Sequence, residues 1–291
     1  MKDQVAPPPF EVIRPARFTP LIYAVAHAGR TIPDDGAEAL QASQETIRSL
    51  EDPLVDHLIA GAEALGATVV LCRISRAHID VNRDPAEIDP ELLLDPGGGK
   101  LTPRTRAGLG VVPRLGADAR RLHRRRLSLD EVQTRIDSVH APYHQTIEAL
   151  MGEARAAFGQ ALLVDWHSMP SSAATAEARR GGMRPHIVIG DRHGQSAAGD
   201  LAGVLRAGFE SVGRQVLMNR PFAGGYTTQS KGRPDQGLHA LQVEIDRSLY
   251  LDEAALAPTQ RLAGLRADIQ SVTRRLQAAL EPKKTAPGGA A

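Results

Sequence analysis

The sequence predicts one α/β domain built around a mixed, mostly parallel sheet with helices on both faces. Two observations support this prediction. Short runs of aliphatic and β-branched residues alternate along the chain with longer segments of helical periodicity. The short runs are apolar almost throughout, which is typical of strands covered on both faces by helices. With 291 residues, the chain can also bury a sizeable core.

Five segments have the length and composition of buried strands. They are rich in Val, Leu, Ile and Ala and are bounded by polar or turn-forming residues. Aromatic residues make up only 3% of the chain, so aliphatic side chains must supply most of the packing. The predicted strands are residues 21–26, 68–74, 161–166, 186–190 and 241–245.

Longer segments with apolar residues at helical spacing lie between and after these strands. The predicted helices are residues 36–49, 53–65, 129–158, 196–212 and 253–280. The second begins at Pro53, directly after Glu51 and Asp52, and proline is favoured at the first position of a helix. The sequence therefore predicts a helix N-terminus at this acidic pair.

Two segments are predicted to be irregular. Residues 84–116 are rich in Pro and Gly, so we expect a long excursion over the sheet. Residues 282–291 resemble a disordered tail. We accordingly assign residues 1–15 to an N-terminal extension and residues 16–281 to a single domain.

The charge balance and the cysteine content bear on the expected partners and on the cellular compartment of the protein. The 35 basic and 34 acidic residues give a formal charge of +1, so neither nucleic acid nor a membrane is expected as a partner. The single cysteine, Cys72, cannot form an internal disulfide. The N-terminus lacks the apolar run of a secretory signal, and the apolar stretch at 21–26 is too short to cross a bilayer. We therefore expect a cytoplasmic protein.

Polar side chains lie at the ends of three predicted strands. His27 directly follows the first strand, His167 follows the third, and Glu244 lies in the last. Ligands of α/β proteins bind at the carboxyl ends of strands, so parallel strands would bring these side chains to one edge. Two histidines and a carboxylate suit a catalytic zinc that keeps one position open for water.

The same residues also allow a purely structural interpretation. A histidine after a strand is more often a capping or core residue than a metal ligand. The sequence contains neither HExxH nor CxxC, the local patterns of common zinc sites. The turn-forming residues after both histidines, AGR and SMP, favour the metal site, but spacing alone leaves both interpretations open.

Several arginines lie just beyond predicted strand ends, within reach of a ligand bound there. The guanidinium group is well shaped to hold a carboxylate through two hydrogen bonds, which predicts an anionic substrate. Each arginine could equally be an ordinary solvated loop residue. The group comprises Arg76, Arg83, Arg192 and Arg220.

A separate basic run, RRLHRRR, occupies residues 120–126. It contains no interleaved aromatic residues, and it lies beside a helical pattern. A solvated helix face is therefore favoured over a nucleic-acid-binding surface.

Taken together, the motifs resemble those of N-formylglutamate amidohydrolases over about residues 20–253. No single motif is specific, but the ordered set is. The set comprises HAGRTIP, the Glu51–Asp52 pair, SRAHIDVNRD, DWHSMP, IGDRHGQS, NRPFAGGYTTQSKG and QVEIDRSLYLDE. The resemblance implies a fold like that of zinc carboxypeptidases and aspartoacylases. It also implies hydrolysis of N-formyl-L-glutamate to formate and glutamate, the closing step of one route of histidine degradation.

The resemblance further implies one divalent metal, zinc, held by His27, His167 and an acidic residue. The related carboxypeptidases take the acidic ligand three residues after the first histidine, where this chain has Arg30. Asp52 is then the best match for that ligand, and Glu51 is the alternative. The ligand types would also admit iron, cobalt or manganese.

By the same resemblance, Glu244 is expected to act as the general base, and Asn82 and Arg83 resemble the substrate-binding Asn–Arg pair of the wider superfamily. Asp165 lies two positions before His167 on the same face of a strand, so it is a candidate either to orient His167 or to be an ordinary strand-end residue. Further contacts to the substrate carboxylates are expected from Arg30, Arg76, Arg192 and Arg247.

Two other functions stay open at this point. One is a deacylase of another N-acyl amino acid or a small peptide, with the excursion at 84–116 adapting the substrate site. The other is a non-catalytic binding protein, against which the presence of His27, His167 and Glu244 argues. In each enzymatic case the expected partner is a small anionic N-acyl amino acid, bound by a monomer or small homo-oligomer.

Overall fold

A computed structural model describes residues 8–281 of the chain and places one seven-stranded sheet at its centre. In chain order, its strands are β1 (Phe10–Ile13), β2 (Leu21–Val25), β3 (Thr68–Cys72), β4 (Ala161–Met169), β5 (Ile187–Gly190), β6 (Val216–Met218) and β7 (Leu238–Asp246). Their spatial order is β1–β3–β2–β4–β7–β5–β6. A separate antiparallel pair is formed by β8 (Leu251–Asp252) and β9 (Ala257–Pro258).

The four central strands of the sheet run parallel. β3, β2, β4 and β7 pair in parallel, whereas β1 pairs antiparallel with β3, and β5 pairs antiparallel with β7. Every residue of these four central strands is buried, which explains why their sequences are apolar rather than alternating. The predicted mixed, mostly parallel α/β fold is confirmed.

Ten α-helices lie within residues 8–281. They are α1 (Asp34–Ala37), α2 (Gln44–Arg48), α3 (Val55–Leu58), α4 (Pro103–Arg106), α5 (Leu129–Arg135), α6 (Ala141–Phe158), α7 (Ser171–Arg179), α8 (Gly199–Ser211), α9 (Tyr226–Lys231) and α10 (Leu262–Leu280). A π-helical turn, Ile136–His140, joins α5 to α6. Short 3₁₀ turns occur at Glu63–Leu65, Pro96–Gly98, Pro234–Gln236 and Arg247–Leu249.

Helices cover both faces of the sheet. On one face, α3, α8 and α10 pack around Trp166, whose ring lies 5.1 Å from that of Tyr23 and 6.3 Å from that of Phe209. On the other face, α5 and α6 pack against the sheet through apolar side chains that include the fully buried Tyr143 of α6. These two apolar layers hold the parallel strands rigidly, so their carboxyl ends form a fixed platform.

Three predicted helices are shorter or more broken than the sequence indicates. The prediction of one continuous helix at 36–49 was wrong. The Gln41 amide donates to Leu122 O at 2.9 Å instead of to a carbonyl of the helix, and Ser43 then caps the start of α2. The helix at 53–65 reduces to α3 and one 3₁₀ turn, since Leu54 takes a left-handed φ of 63°. The helix at 253–280 starts only at Leu262, after the β8–β9 pair.

The excursion after β3 is largely irregular, as predicted. It holds one 3₁₀ turn and the one-turn helix α4. The helical setting expected for residues 120–126 was wrong, because these residues form isolated bridges instead, with Arg121 opposite Leu115 and His123 opposite Leu40. The bridge from His123 to the distant Leu40 fixes the backbone of residues 120–126 more strongly than the local helical pattern does.

Phe10–Ile13, within the predicted N-terminal extension, pairs with β3 as an edge strand. The predicted tail at 282–291 lies outside the described residues. Among the helices of residues 8–281, none has the length and hydropathy needed to cross a membrane.

Candidate metal centre and active site

The parallel strands carry polar side chains to one edge of the sheet. His27 lies two residues after β2, while His167 and Glu244 lie near the carboxyl ends of β4 and β7. His167 and Glu244 are direct register partners across the two strands, so their side chains emerge next to each other. The carboxyl edge therefore combines a buried carboxylate with two buried histidines.

His27, Asp52 and His167 form a compact cluster. Their candidate ligand atoms all lie within 4.8 Å of one another, and the three residues are no more than 3% exposed. Nδ1 of His27 lies 3.3 Å from Asp52 Oδ2, and Nδ1 of His167 lies 2.9 Å from the same oxygen. Both imidazole rings thus present Nδ1 to one carboxylate oxygen.

Backbone contacts distinguish Asp52 from its neighbour. The Asp52 amide donates to His27 O at 2.9 Å, which fixes this residue beside the end of β2. The Glu51 carboxylate instead faces Arg30 at 3.3 Å and Arg48 at 3.2 Å. The structure therefore brings Asp52, and not Glu51, to the two histidines.

The other ring nitrogen of His27 has a carboxylate partner that the sequence analysis did not assign. His27 Nε2 donates to Asp80 Oδ1 at 2.8 Å, while the second Asp80 oxygen lies 2.9 Å from Arg76 and 3.2 Å from Arg83. A carboxylate behind a metal-ligating histidine sets its tautomer and ring orientation. Asp80 belongs to the SRAHIDVNRD motif after β3, but the motif by itself does not identify its partner.

His167 has a similar environment on its Nε2 side. Asp165 Oδ2 lies 2.9 Å from His167 Nε2 in an ion pair, although its carboxylate oxygens lack hydrogen-bond geometry to any described group. Asn82 Nδ2 also lies 3.1 Å from this nitrogen. Asp165 is fully buried two residues earlier on the same face of β4. It therefore acts on His167 chiefly through charge.

Burial opposes the charged form of each ionisable group in the site. Hydrogen bonds and neighbouring charges then determine whether the pKa of that group is raised or lowered. Burial raises the pKa of Asp52, yet hydrogen bonds from His167 and His27 outweigh it and hold this pKa well below its usual range. Burial lowers the pKa of His167, yet Asp165 and Asp52 outweigh it and raise this pKa well above its usual range. For Glu244, burial dominates and raises the pKa to about 7.

The cluster fits a divalent metal in its donor chemistry. Two imidazole nitrogens and one carboxylate oxygen form a ligand set used by catalytic zinc and by other first-row metals. Both Nδ1 atoms point at the shared carboxylate, and the Nε2 atom of each ring faces an aspartate. A metal ion bound by both Nδ1 atoms would require each of these nitrogens to be free of its proton.

The predicted substrate-binding residues fall into two groups. Asn82 and Arg83 lie at the cluster edge, with the Asn82 side chain held by the Thr227 amide at 2.8 Å. Arg83 Nη2 donates a hydrogen bond to Asp80 Oδ2 at 3.2 Å. Arg83 Nε, in contrast, is buried without a hydrogen-bond partner among residues 8–281. Arg76 is engaged with the same Asp80 through two nitrogens.

The remaining three arginines lie in different surroundings. Arg247 donates to Asp52 Oδ1 at 3.0 Å and to Ser168 Oγ at 3.1 Å, so it braces the candidate ligand. Arg30 is half-exposed and pairs with Glu51. Arg192 follows β5, and its side chain lies against Gly224, next to the Gly225 that packs on Asn82.

Gln242, which no sequence motif singled out, lies against the buried carboxylate. Gln242 Nε2 donates to Glu244 Oε1 at 2.9 Å, and its own Oε1 accepts from the Gly225 amide at 2.7 Å. Because side chains two residues apart share one face of a strand, the spacing in QVE was the available signal.

The fold and this site together define a class: an α/β protein with the buried ligand set and adjacent carboxylate that metal-dependent hydrolases use. Comparison with known proteins narrows the class. The profile of the N-formylglutamate amidohydrolase family matches residues 19–251. The chain belongs to this family and is an amidohydrolase.

Individual relatives agree with that assignment. The chain is 31% identical over 261 residues to an N-formylglutamate deformylase of Pseudomonas aeruginosa, covering 88% of each protein. It is 30% identical over 239 residues to an N-formylglutamate deformylase of Pseudomonas putida, covering 80% of this chain and 82% of the relative. The crystal structure of an N-formylglutamate amidohydrolase from Ralstonia eutropha JMP134 superposes with a TM-score of 0.86 at 28% identity, over 94% of this chain and 98% of that one.

Proposed function

We propose that this protein hydrolyses the formamide of N-formyl-L-glutamate to formate and L-glutamate. The observation that carries the proposal is the direct pairing of His167 with Glu244 across β4 and β7. This register sets a buried carboxylate beside the His27–Asp52–His167 cluster. The choice of substrate is inferred from the deformylases that the chain resembles over most of its length.

We further propose that the cluster holds one zinc ion through His27 Nδ1, His167 Nδ1 and Asp52. The donor set described above supports this assignment. Bound there, zinc would polarise the formyl carbonyl and lower the pKa of a water molecule to about 7. Asp80, which contacts His27 Nε2, fixes the ring that presents Nδ1.

Glu244 is the proposed proton carrier of the reaction. Its carboxylate takes a proton from the attacking water and returns it to the amine nitrogen of the departing glutamate. One C–N bond breaks and one C–O bond forms, with the hydroxyl of the water going to the formyl carbon and its remaining proton going to the amine nitrogen. A pKa of about 7, raised by burial, suits a group that must accept and then donate a proton near neutral pH.

Asn82 and Arg83 are proposed to bind the substrate. Arg83 is held by Asp80 through Nη2 and keeps a buried Nε–H without a partner among the described residues. Such a donor is costly to bury unless a ligand satisfies it, and a glutamate carboxylate can do so. Asn82 is locked at Oδ1 by Thr227, so its Nδ2–H group has a fixed direction.

The test is formate release from N-formyl-L-glutamate, measured before chelation, after chelation and after zinc return. We expect activity that disappears with the metal and recovers with zinc. Parallel assays on N-acetyl and N-succinyl glutamate test the alternative that a different acyl group is removed. No formate release from protein shown to contain zinc would contradict the proposed substrate, and undiminished release from metal-free protein would contradict the proposed zinc.

A further inference from the structure

Two histidines outside the candidate metal cluster contact the loop that supports it. His140 ends the π-helical turn, and His144 lies one turn later in α6. His140 Nε2 donates to Arg83 O at 2.8 Å, and His144 Nε2 donates to Val81 O at 2.7 Å. Their spacing of four residues puts both rings on one side of the helix, facing one short stretch of backbone.

That stretch, residues 80–83, connects the fold to the site. Asp80 at its start donates its amide to Val111 O at 2.7 Å and accepts from His27 through its side chain. Asn82 in its middle lies 3.1 Å from His167 through Nδ2. A shift of this loop would therefore move groups beside both candidate histidine ligands at once.

The chemistry of the two contacts fixes the state of both histidines. A backbone carbonyl can only accept a hydrogen bond, so Nε2 must carry the proton in each ring. Burial lowers the pKa of His140, and burial together with His140 lowers the pKa of His144 to about 3. Both rings are therefore neutral donors at physiological pH.

The loop is clamped from its other side by α9. The Thr227 amide donates to Asn82 Oδ1 at 2.8 Å, and the Tyr226 amide donates to Asn82 O at 3.4 Å. The Tyr226 ring closes the arrangement, with its centroid 5.5 Å from His140 and 5.0 Å from His144. Residues 80–83 thus lie between a histidine pair and a helix N-terminus.

A proline accounts for the local helix geometry. Pro142 lies two residues after the end of the π turn, inside an otherwise continuous helical run from α5 to α6. Proline lacks an N–H group and crowds the carbonyl four residues earlier, so an ordinary α-helical turn is disfavoured there. The wider π turn accommodates it and ends on His140, in keeping with the frequent occurrence of such turns at functional sites.

We propose that His140 and His144 are positioning residues that hold the 80–83 loop and, through Asp80 and Asn82, the orientation of His27 and His167. The inference rests on the proposed zinc site, and its consequence for catalysis also rests on the proposed reaction. It predicts that the two Nε2–H donors matter more than the aromatic character of the rings.

The experiment measures zinc affinity of the full-length protein by competition with a chromophoric chelator. His144→Leu removes the donor, whereas His144→Gln keeps an N–H group at similar reach. We expect the zinc Kd to rise about tenfold in His144→Leu, the lower end of the effect of losing an outer partner. His144→Gln should remain near wild type, and the pair His140→Leu and His140→Gln should behave in the same way.

His123 supplies a matched control within the same protein. It is also buried, and it donates from Nε2 to a backbone carbonyl, Pro113 O, at 3.0 Å. Its Nδ1 has no hydrogen-bond partner among residues 8–281. His123→Leu should lower thermal stability while leaving zinc affinity unchanged. Equal losses of affinity in His123→Leu and His144→Leu, or no loss in His144→Leu, would overturn the proposal. If His144→Leu does not fold, His144→Asn, whose shorter amide cannot reach Val81 O, replaces it.

The two proposals fail in different ways. A wild-type protein that binds zinc but releases no formate contradicts the proposed substrate and leaves the affinity comparison intact. A wild-type protein that deformylates normally, with His144→Leu indistinguishable from it in zinc affinity, contradicts the positioning role alone.

Discussion

At the scale of single residues, the site depends on what surrounds each carboxylate. Glu244 and Asp52 are both buried, yet their pKa values are shifted in opposite directions. Asp52 receives hydrogen bonds from two histidines, which hold it ionised, whereas the Glu244 side chain receives one from the neutral amide of Gln242. Two carboxylates a short distance apart are therefore suited to ligand and proton-carrier roles.

Replacement of Glu244 separates metal binding from proton transfer. Glu244→Gln keeps the size and the hydrogen-bonding capacity of the side chain but removes its basicity. We expect a full equivalent of bound zinc and a fall in kcat of about a thousandfold, within the range found for general bases. Metal analysis and formate assays on the same preparation check this, and near wild-type turnover would remove Glu244 from the mechanism.

A second residue-scale prediction concerns the choice between the two adjacent acids. Asp52→Asn should weaken zinc binding, because it removes the charge on the oxygen that faces both Nδ1 atoms. Glu51→Gln is the matched control, since Glu51 faces Arg30 and Arg48. Competition titrations on both variants decide the question, and a larger loss of affinity in Glu51→Gln would reverse the assignment.

At the scale of elements, the carboxyl ends of β2, β4 and β7 and the loop after β3 act as one support. The loop is fixed by contacts from α6 and α9 rather than by its own sequence. Gly225, at the N-terminus of α9, shows how close this packing is. A Cβ at Gly225 would lie 2.5 Å from the Asn82 side chain, which Thr227 prevents from moving aside.

Gly225→Ala should therefore displace Asn82 without disrupting a helix. We expect kcat/KM to fall by about tenfold to a hundredfold, the cost of a small misplacement in a positioned site. Gly203→Ala is the matched control, because Gly203 lies in α8. Apart from the nearby backbone of α8, an added Cβ there would have no neighbour within 4 Å in the described part of the chain. That control should keep full activity and gain about 0.5–1 kcal/mol in free energy of unfolding, measured in urea. Unchanged kcat/KM in Gly225→Ala would show that Asn82 is not needed in its present position.

At the scale of the whole molecule, three buried histidines make folding sensitive to acid. Burial is the main cause in each case, and it lowers the pKa of His78 and His144 to about 3 and that of His123 to about 4. In the unfolded chain these groups titrate near pH 6.5. Between about pH 6.5 and pH 4, the unfolded state therefore binds more protons than the folded state.

The sign of the effect follows from that difference. The free energy of unfolding of the metal-free protein should fall as pH is lowered through 6.5, by at most about 1.4 kcal/mol per pH unit for each histidine. His123→Gln should reduce this dependence, since the amide does not titrate. Urea unfolding at pH 7 and pH 5 measures both slopes, and equal slopes in the two proteins would contradict the contribution of His123.

The sequence by itself determined the alternation of strands and helices, the burial of the central strands, and the set of polar residues at their ends. These features are local: an apolar run such as 161–166 predicts a covered strand wherever it lies in the fold. Motif order added the family, and with it His27, Asp52, His167 and Glu244 as a group to be tested.

Only the tertiary structure decided how those residues meet. It placed Asp52 rather than Glu51 at the histidines, paired His27 with Asp80, and set His140 and His144 against the 80–83 loop. It also broke the predicted helix at 36–49 with a hydrogen bond to Leu122. Each outcome depends on contacts between residues far apart in sequence. The free energies of these long-range contacts exceed the small conformational preferences of the local sequence. A pattern of neighbouring residues therefore could not predict the contacts.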